Sequence, residues 1–186
     1  MNCLPDTCVS RTKLIMMFKY FTALFACLVG LSATAQTEAI YMPTAPLTIV
    51  TQAGEITIMA EVADDPEETA TGLMFREGIA ADAGMIFDFG VPREANMWMK
   101  NVPFSIDMLF LGEDGEVLTI VSHVQANSER RINPGFAVNG VVELAAGQAK
   151  AFGIAPGDTV LHPIFGNWVD AEESSEEAIE ETPAED

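Results

Sequence analysis

Short runs of alternating apolar and polar residues dominate the chain, and their period predicts β-strands. Ile56, Ile58, Ala60 and Val62 occupy alternate positions, as in a strand with one buried face. Further apolar or alternating runs cover residues 47–51, 85–89, 95–100, 105–111, 116–124, 137–144 and 159–162. Turn-forming residues separate these runs, and Glu113-Asp114-Gly115 predicts a tight hairpin between two of them.

Two short segments depart from this pattern and predict helices. Asp65 is a suitable N-cap, Pro66 fits the first helical position, and Glu68 completes a capping box. The first helix should run to about Arg76, before Gly78, and the second should lie within residues 147–152. The predicted fold is therefore mainly β (α+β), a small antiparallel barrel or sandwich with one or two short helices.

The N-terminal 35 residues have the pattern of a secretory signal peptide. Basic residues precede an apolar centre over residues 21–31, which is too short to span a bilayer, and Ala33-Thr34-Ala35 offers a cleavage site. We therefore expect a periplasmic or secreted protein, cleaved near Ala35, with no stable membrane insertion afterwards. Two alternatives stay open: lipidation at Cys27, and translation from Met16 or Met17.

Beyond residue 35 the sequence divides into three parts. Residues 36–46 contain two prolines and predict a flexible lead-in, and residues 47–168 form one domain. Residues 169–186 are rich in glutamate and predict a disordered acidic tail. All three cysteines lie before residue 35, so the mature domain has neither a disulfide nor a thiol nucleophile.

The net charge of the chain limits the classes of partner. Of the formal −19, residues 170–186 contribute −9 and the leader contributes +2, which leaves −12 on the body. A field of that sign repels phosphate backbones, so we expect no nucleic-acid partner.

A series of motifs in the central part of the sequence is specific. Gly72-Leu73-Met74-Phe75-Arg76, Gly84-Met85-Ile86-Phe87-Asp88-Phe89 and Met97-Trp98-Met99-Lys100-Asn101-Val102-Pro103 follow one another, and Ile106-Asp107 comes after them. In this order they resemble the domain of unknown function 192 family, small bacterial and archaeal proteins that are often exported. The resemblance covers roughly residues 47–162 and implies a compact β-rich fold with an unassigned function. The family usually has Phe and Thr where this chain has Met97 and Val102.

Several charged residues stand among apolar neighbours, where an unpaired charge is costly. In one hypothesis Lys100 forms a structural ion pair with Asp107 or Glu143, with its stem packed on Trp98. In the other, Arg76, Lys100, Asn101 and Asp107 converge on a pocket for a small polar or anionic ligand. The candidate ligand-binding residues are Arg76, Trp98, Lys100, Asn101, Asp107 and Glu143.

Three functions follow from these hypotheses. The first is a non-enzymatic domain of the cell envelope that binds a small ligand or a partner protein. The second is a hydrolase or lyase-like enzyme that uses Lys100 with Asp107 or Glu143. The third is an envelope accessory protein whose ion pairs are purely structural. The residue spacing indicates neither a metal site nor a cofactor, because His123 and His162 stand alone and the methionines lie at core positions.

Overall fold

A single mixed sheet with two short helices forms the domain in a computed structural model, which describes residues 38–168. The elements are β1 (Thr44–Thr51), β2 (Gly54–Ala63), α1 (Pro66–Thr71), β3 (Ala83–Glu94), β4 (Ile106–Leu111), β5 (Val117–Val124), β6 (Ala137–Ala145), α2 (Gln148–Ala151), β7 (Thr159–Leu161) and a 3-10 helix (Pro163–Phe165). The mainly β fold predicted from the sequence is confirmed. The predicted leader and acidic tail lie outside the described residues.

The seven strands follow the order β5-β4-β6-β3-β2-β1-β7, and β2 and β3 are the one parallel pair among them. At one end the sheet curls back on itself, because Val117 N–H donates to the Asp158 carbonyl and Val160 N–H donates to the Gly115 carbonyl. These bonds bring the start of β5 against β7 and give the sheet the shape of a half-barrel.

Both faces of the central strands are buried. Because side chains alternate along a strand, neighbouring residues of β4 and β6 belong to different cores. The first core contains Met85, Phe87, Met108, Phe110 and Val141. The second contains Ile58, Ile86, Leu109, Val142 and Leu144.

In the described part of the chain, no helix is long and apolar enough to cross a membrane.

The first helix is shorter than predicted. Asp65 caps it, since its Oδ1 accepts hydrogen bonds of 2.8 Å from both Glu67 N–H and Glu68 N–H. The helix ends at Thr71 because Gly72 takes a φ of 48°, a conformation that glycine adopts most readily. A Cβ at Gly72 would lie 3.0 Å from the Phe87 ring, so a larger residue would also require this ring to shift.

The strand predicted over residues 95–100 is wrong. Only Met97 pairs, through an isolated bridge with Ile132, and the chain turns at Lys100–Asn101, where Asn101 has a φ of 58°. Hydrogen bonds from Met99 N–H to the Ser128 carbonyl and between Met97 and Ile132 hold this segment against residues 128–132. The result is an irregular wall beside the first core.

Candidate functional site

A crevice opens between the end of α1 and this irregular wall. It encloses about 420 Å³ of space, part of it open to solvent. Its lining is mainly apolar with a few hydroxyl, amide and carboxyl groups, contributed by residues 69–74, Phe87, residues 96–98, Val102 and Glu143. Such a composition, apolar with few polar groups, is typical of small-molecule sites.

Two local features shape the crevice. The left-handed turn at Gly72 directs Leu73 into the first core, where it is buried. Phe75 N–H then donates a 2.8 Å hydrogen bond to the Asn101 carbonyl, which ties the segment after α1 to the turn at Lys100–Asn101. The two walls of the crevice are thereby joined at one end.

Glu143 lies at the base of the crevice, in the middle of β6. It faces the first core, because it stands opposite Met85 on one side and Met108 on the other. Its side chain is only 4% exposed and forms no hydrogen bond or ion pair within residues 38–168. The fully buried side-chain atoms of residues 38–168 that lack a hydrogen-bond partner are Arg76 Nε and His162 Nε2, so the unbonded oxygens of Glu143 still reach the open space of the crevice.

Burial also changes the ionisation of Glu143. Desolvation disfavours the charged carboxylate and raises its pKa to about 8, although the positive charge of Arg76 acts in the opposite direction. At neutral pH the side chain is therefore mainly a protonated carboxylic acid. Such a group can donate a hydrogen bond to an acceptor oxygen of a ligand.

Arg76 is 5% exposed and binds Glu61 rather than any predicted partner. Both terminal nitrogens of its guanidinium donate to the Glu61 carboxylate, and Nη2 also donates to the Ile40 carbonyl. The guanidinium lies 4.4 Å from the centroid of the Tyr41 ring. Through these contacts Arg76 holds residues 40–42 against β2.

Glu61 is the acidic half of this pair. Burial alone would raise its pKa, but hydrogen bonds from Arg76 and from Met42 N–H, together with the Arg76 charge, lower the pKa below its ordinary value. The pair is therefore ionised at neutral pH and holds the start of the domain in place.

Asp107 is fully buried on the opposite face of the sheet from Glu143. In the β4–β6 register Met108 stands opposite Glu143, whereas Asp107 stands opposite Leu144, so the two carboxyl groups point to different cores. Asp107 accepts hydrogen bonds from the N–H groups of His123 (2.8 Å), Gly147 (2.9 Å) and Ala149 (3.1 Å). It therefore joins β4 to β5 and to the start of α2.

The remaining candidates lie at the surface. Trp98 is 50% exposed at the mouth of the crevice, and Lys100 and Asn101 are exposed in the adjoining turn. Lys100 forms no ion pair with any described residue, so the predicted pairing with Asp107 or Glu143 is wrong. Of the candidates, Trp98 and Glu143 line the crevice, and Arg76 is close enough to affect the Glu143 pKa. Lys100 and Asp107 do not line the crevice.

Sequence reasoning missed Thr69, Thr71 and Asn96, the polar side chains that line the crevice beside Glu143. No local signal marks them, since their roles depend on where α1 ends and where residues 95–101 turn. Of the two histidines, His123 is exposed and His162 is buried. Between residues 38 and 168, no three His, Cys, Asp or Glu side chains are grouped closely enough to hold a metal ion.

The chain is similar to a known protein family and to solved structures. Residues 48–162 match the model of the DUF192 family, described as "Uncharacterized ACR". A crystal structure from Sinorhizobium meliloti 1021, provisionally described as a transcription regulator, is 36% identical, with a TM-score of 0.65 over 68% of this chain and 99% of that chain. A protein of unknown function from Novosphingobium aromaticivorans DSM 12444 is 30% identical, with a TM-score of 0.63 over 72% of this chain and 100% of that chain. No curated protein matches the sequence significantly.

Proposed function

The chain belongs to the uncharacterised DUF192 family, and we propose that its domain binds a small organic ligand in the crevice, with Glu143 as the polar contact at the base. One observation carries this proposal: the nearly buried carboxyl group of Glu143 lines the crevice, and its oxygens form no hydrogen bond within residues 38–168. Because its oxygens are open to the crevice and bonded to no protein group, the protonated carboxyl group of Glu143 is available to donate a hydrogen bond to a ligand oxygen.

The rest of the crevice supports a binding role. Phe87, Met97 and Trp98 offer apolar surface, and the half-exposed indole of Trp98 stands at the mouth where a ligand would enter. Thr69, Thr71 and Asn96 add further hydrogen-bonding groups beside Glu143. The few polar groups would fix the orientation of a ligand whose affinity comes mainly from apolar contact.

The geometry gives less support to the hydrolase or lyase alternative. That mechanism needs Lys100 near Asp107 or Glu143, but Lys100 is exposed and Asp107 lies on the other face of the sheet. Both oxygens of Asp107 already accept backbone hydrogen bonds. We therefore favour binding over catalysis for this domain.

A ligand screen with the wild-type domain and three variants tests the proposal. We expect a compound of a small-metabolite panel to raise the melting temperature of the wild-type domain and of Glu143→Gln, since glutamine retains an N–H donor. The same compound should not shift Glu143→Leu, which has no donor. Glu55→Gln, the same substitution at an exposed position at the start of β2, is the control and should respond like the wild type.

The pH dependence of binding gives a second criterion in the same experiment. Only the protonated Glu143 donates, so affinity in the wild type should fall as the pH rises through about 8. In Glu143→Gln it should stay constant over that range. Equal ligand shifts in the wild type and Glu143→Leu would refute the proposed role of Glu143.

We also propose that the domain acts outside the cytoplasm, on the basis of the leader sequence. Cleavage after Ala35 predicts that N-terminal sequencing of the mature protein starts at Gln36. A mature chain that retains residues 1–35 would contradict export by this route.

A further inference from the structure

The crevice continues outward beyond the part that contains Glu143. A second space of about 660 Å³, also open to solvent, is lined by Phe89, Arg93, Glu94 and Ala95. Both spaces share six lining residues: Thr69, Ala70, Phe87, Asn96, Met97 and Trp98. They are therefore two ends of one site, with Glu143 at the inner end and Arg93 at the outer end.

Arg93 is free to bind an anion. Its guanidinium carbon lies 4.0 Å from the centroid of the Phe89 ring, and the side chain forms no ion pair with any described residue. Contact with an aromatic ring restricts a guanidinium without using its N–H groups. Those groups can form two parallel hydrogen bonds with a carboxylate.

Basic residues are concentrated on the two segments that pair through Met97 and Ile132. Residues 38–168 contain six lysines and arginines, and four of them lie on the two segments that pair through Met97 and Ile132: Arg93, Lys100, Arg130 and Arg131. Glu94 and Glu129 are the acidic residues on the same segments, whose net charge is therefore +2, whereas α1 on the other side of the crevice carries Glu67 and Glu68. Arg93 is the basic residue that lines the crevice itself, so it is the cation that a small anion would meet there.

From these observations we propose that the ligand is a small organic carboxylate whose carboxylate group binds Arg93 at the mouth and whose opposite end carries an acceptor oxygen that reaches Glu143. Its middle would be apolar, because Phe87, Met97 and Trp98 line the shared part of the crevice. The inference rests on the proposed function and adds the chemical class of the ligand. It excludes cationic ligands and large polyanions, since the acidic body would repel a polyanion that extends beyond the mouth.

The proposed carboxylate class of the ligand is tested by comparing the affinities of carboxylic acids with those of their primary amides. The probes are 4-acetylbenzoate and 4-oxopentanoate, each with a ketone opposite its carboxylate, and the corresponding primary amides. Calorimetry at pH 7 should show that the acids bind the wild type about tenfold more tightly than the amides, as a bidentate charged contact predicts. Added salt should reduce this preference.

Three variants show which residue causes the preference for the acid over the amide. Arg93→Gln should abolish the preference for the acid, and Glu143→Leu should weaken the acid and the amide alike. Lys150→Gln removes an exposed positive charge on α2 and should preserve the preference. Equal affinities of acid and amide, an unchanged preference in Arg93→Gln, or no binding of any probe would each overturn the carboxylate assignment. The proposed function is tested by a different result: it is refuted if no panel compound raises the melting temperature of the wild type more than that of Glu143→Leu.

Discussion

Asp107→Ala is expected to lower the free energy of unfolding by about 3–5 kcal/mol, because it leaves three backbone N–H groups without their acceptor. Those groups belong to His123, Gly147 and Ala149, which come from β5 and from the start of α2. Each lost bond costs about 1–3 kcal/mol where the donor is buried, and the Ala149 bond is buried. Urea denaturation of the variant and the wild type measures the difference.

Two further substitutions show whether the loss follows the number of hydrogen bonds. Asp158 accepts one backbone bond, from Ala155 N–H, so Asp158→Ala should cost about 1 kcal/mol. Asp107→Asn keeps one acceptor oxygen and should lie between Asp107→Ala and the wild type. A loss below about 1 kcal/mol in Asp107→Ala would show that Asp107 does not stabilise this junction.

Arg76→Met should be similarly destabilising, by about 3–5 kcal/mol, since it leaves Glu61 partly buried without its cation. It also removes the hydrogen bond to the Ile40 carbonyl and the contact with Tyr41, so residues 40–42 should detach from β2. Denaturation measures the first effect. Amide hydrogen exchange at residues 40–42 measures the second, as faster exchange than in the wild type.

Lys100→Met is the matched control for Arg76→Met. It makes the same kind of change at an exposed position without an ion pair among the described residues, and it should change stability by less than about 0.5 kcal/mol. The double variant Arg76→Met/Glu61→Gln should recover part of the loss, because it leaves no buried charge unpaired. Equal effects of Arg76→Met and Lys100→Met would contradict the structural role assigned to Arg76.

The regular part of the fold could be predicted from the sequence because its signals are local. The Glu113-Asp114-Gly115 hairpin stands where the pattern places it, between β4 and β5. Asp65 caps a helix, as its position before Pro66 predicts. The resemblance to the DUF192 family is confirmed, and it agrees with this architecture.

Residues 95–101 show where local pattern is insufficient. Apolar side chains occur at both odd and even positions of this segment, which in a strand indicates two buried faces. In the structure Ala95 and Met99 are buried, whereas Trp98 is half exposed. The chain instead leaves the sheet after Glu94 and pairs only at Met97. That outcome depends on contacts with residues 128–132, which are remote in sequence.

The candidate site was predictable in part for a related reason. Glu143 was recognisable as a carboxyl group within an apolar strand, and Trp98 as part of the central motif. Which charges meet depends on strand register, and a shift of one residue exchanges the two faces. The observed register places Asp107 away from Glu143, and the end of α1 leaves Arg76 beside Glu61.

The proposed site depends on a neutral carboxyl group at the base of the crevice that forms no hydrogen bond with a described residue. Carbon-13 NMR of the glutamate side-chain carboxyl groups over pH 3–10, with Glu143→Gln used to assign the signal, tests this most directly. We predict that Glu143 titrates with a pKa of about 8, far above the ordinary value of a glutamate side chain. A pKa near the ordinary value of 4.5 would show that Glu143 is a solvated carboxylate at neutral pH and would contradict its role as a hydrogen-bond donor.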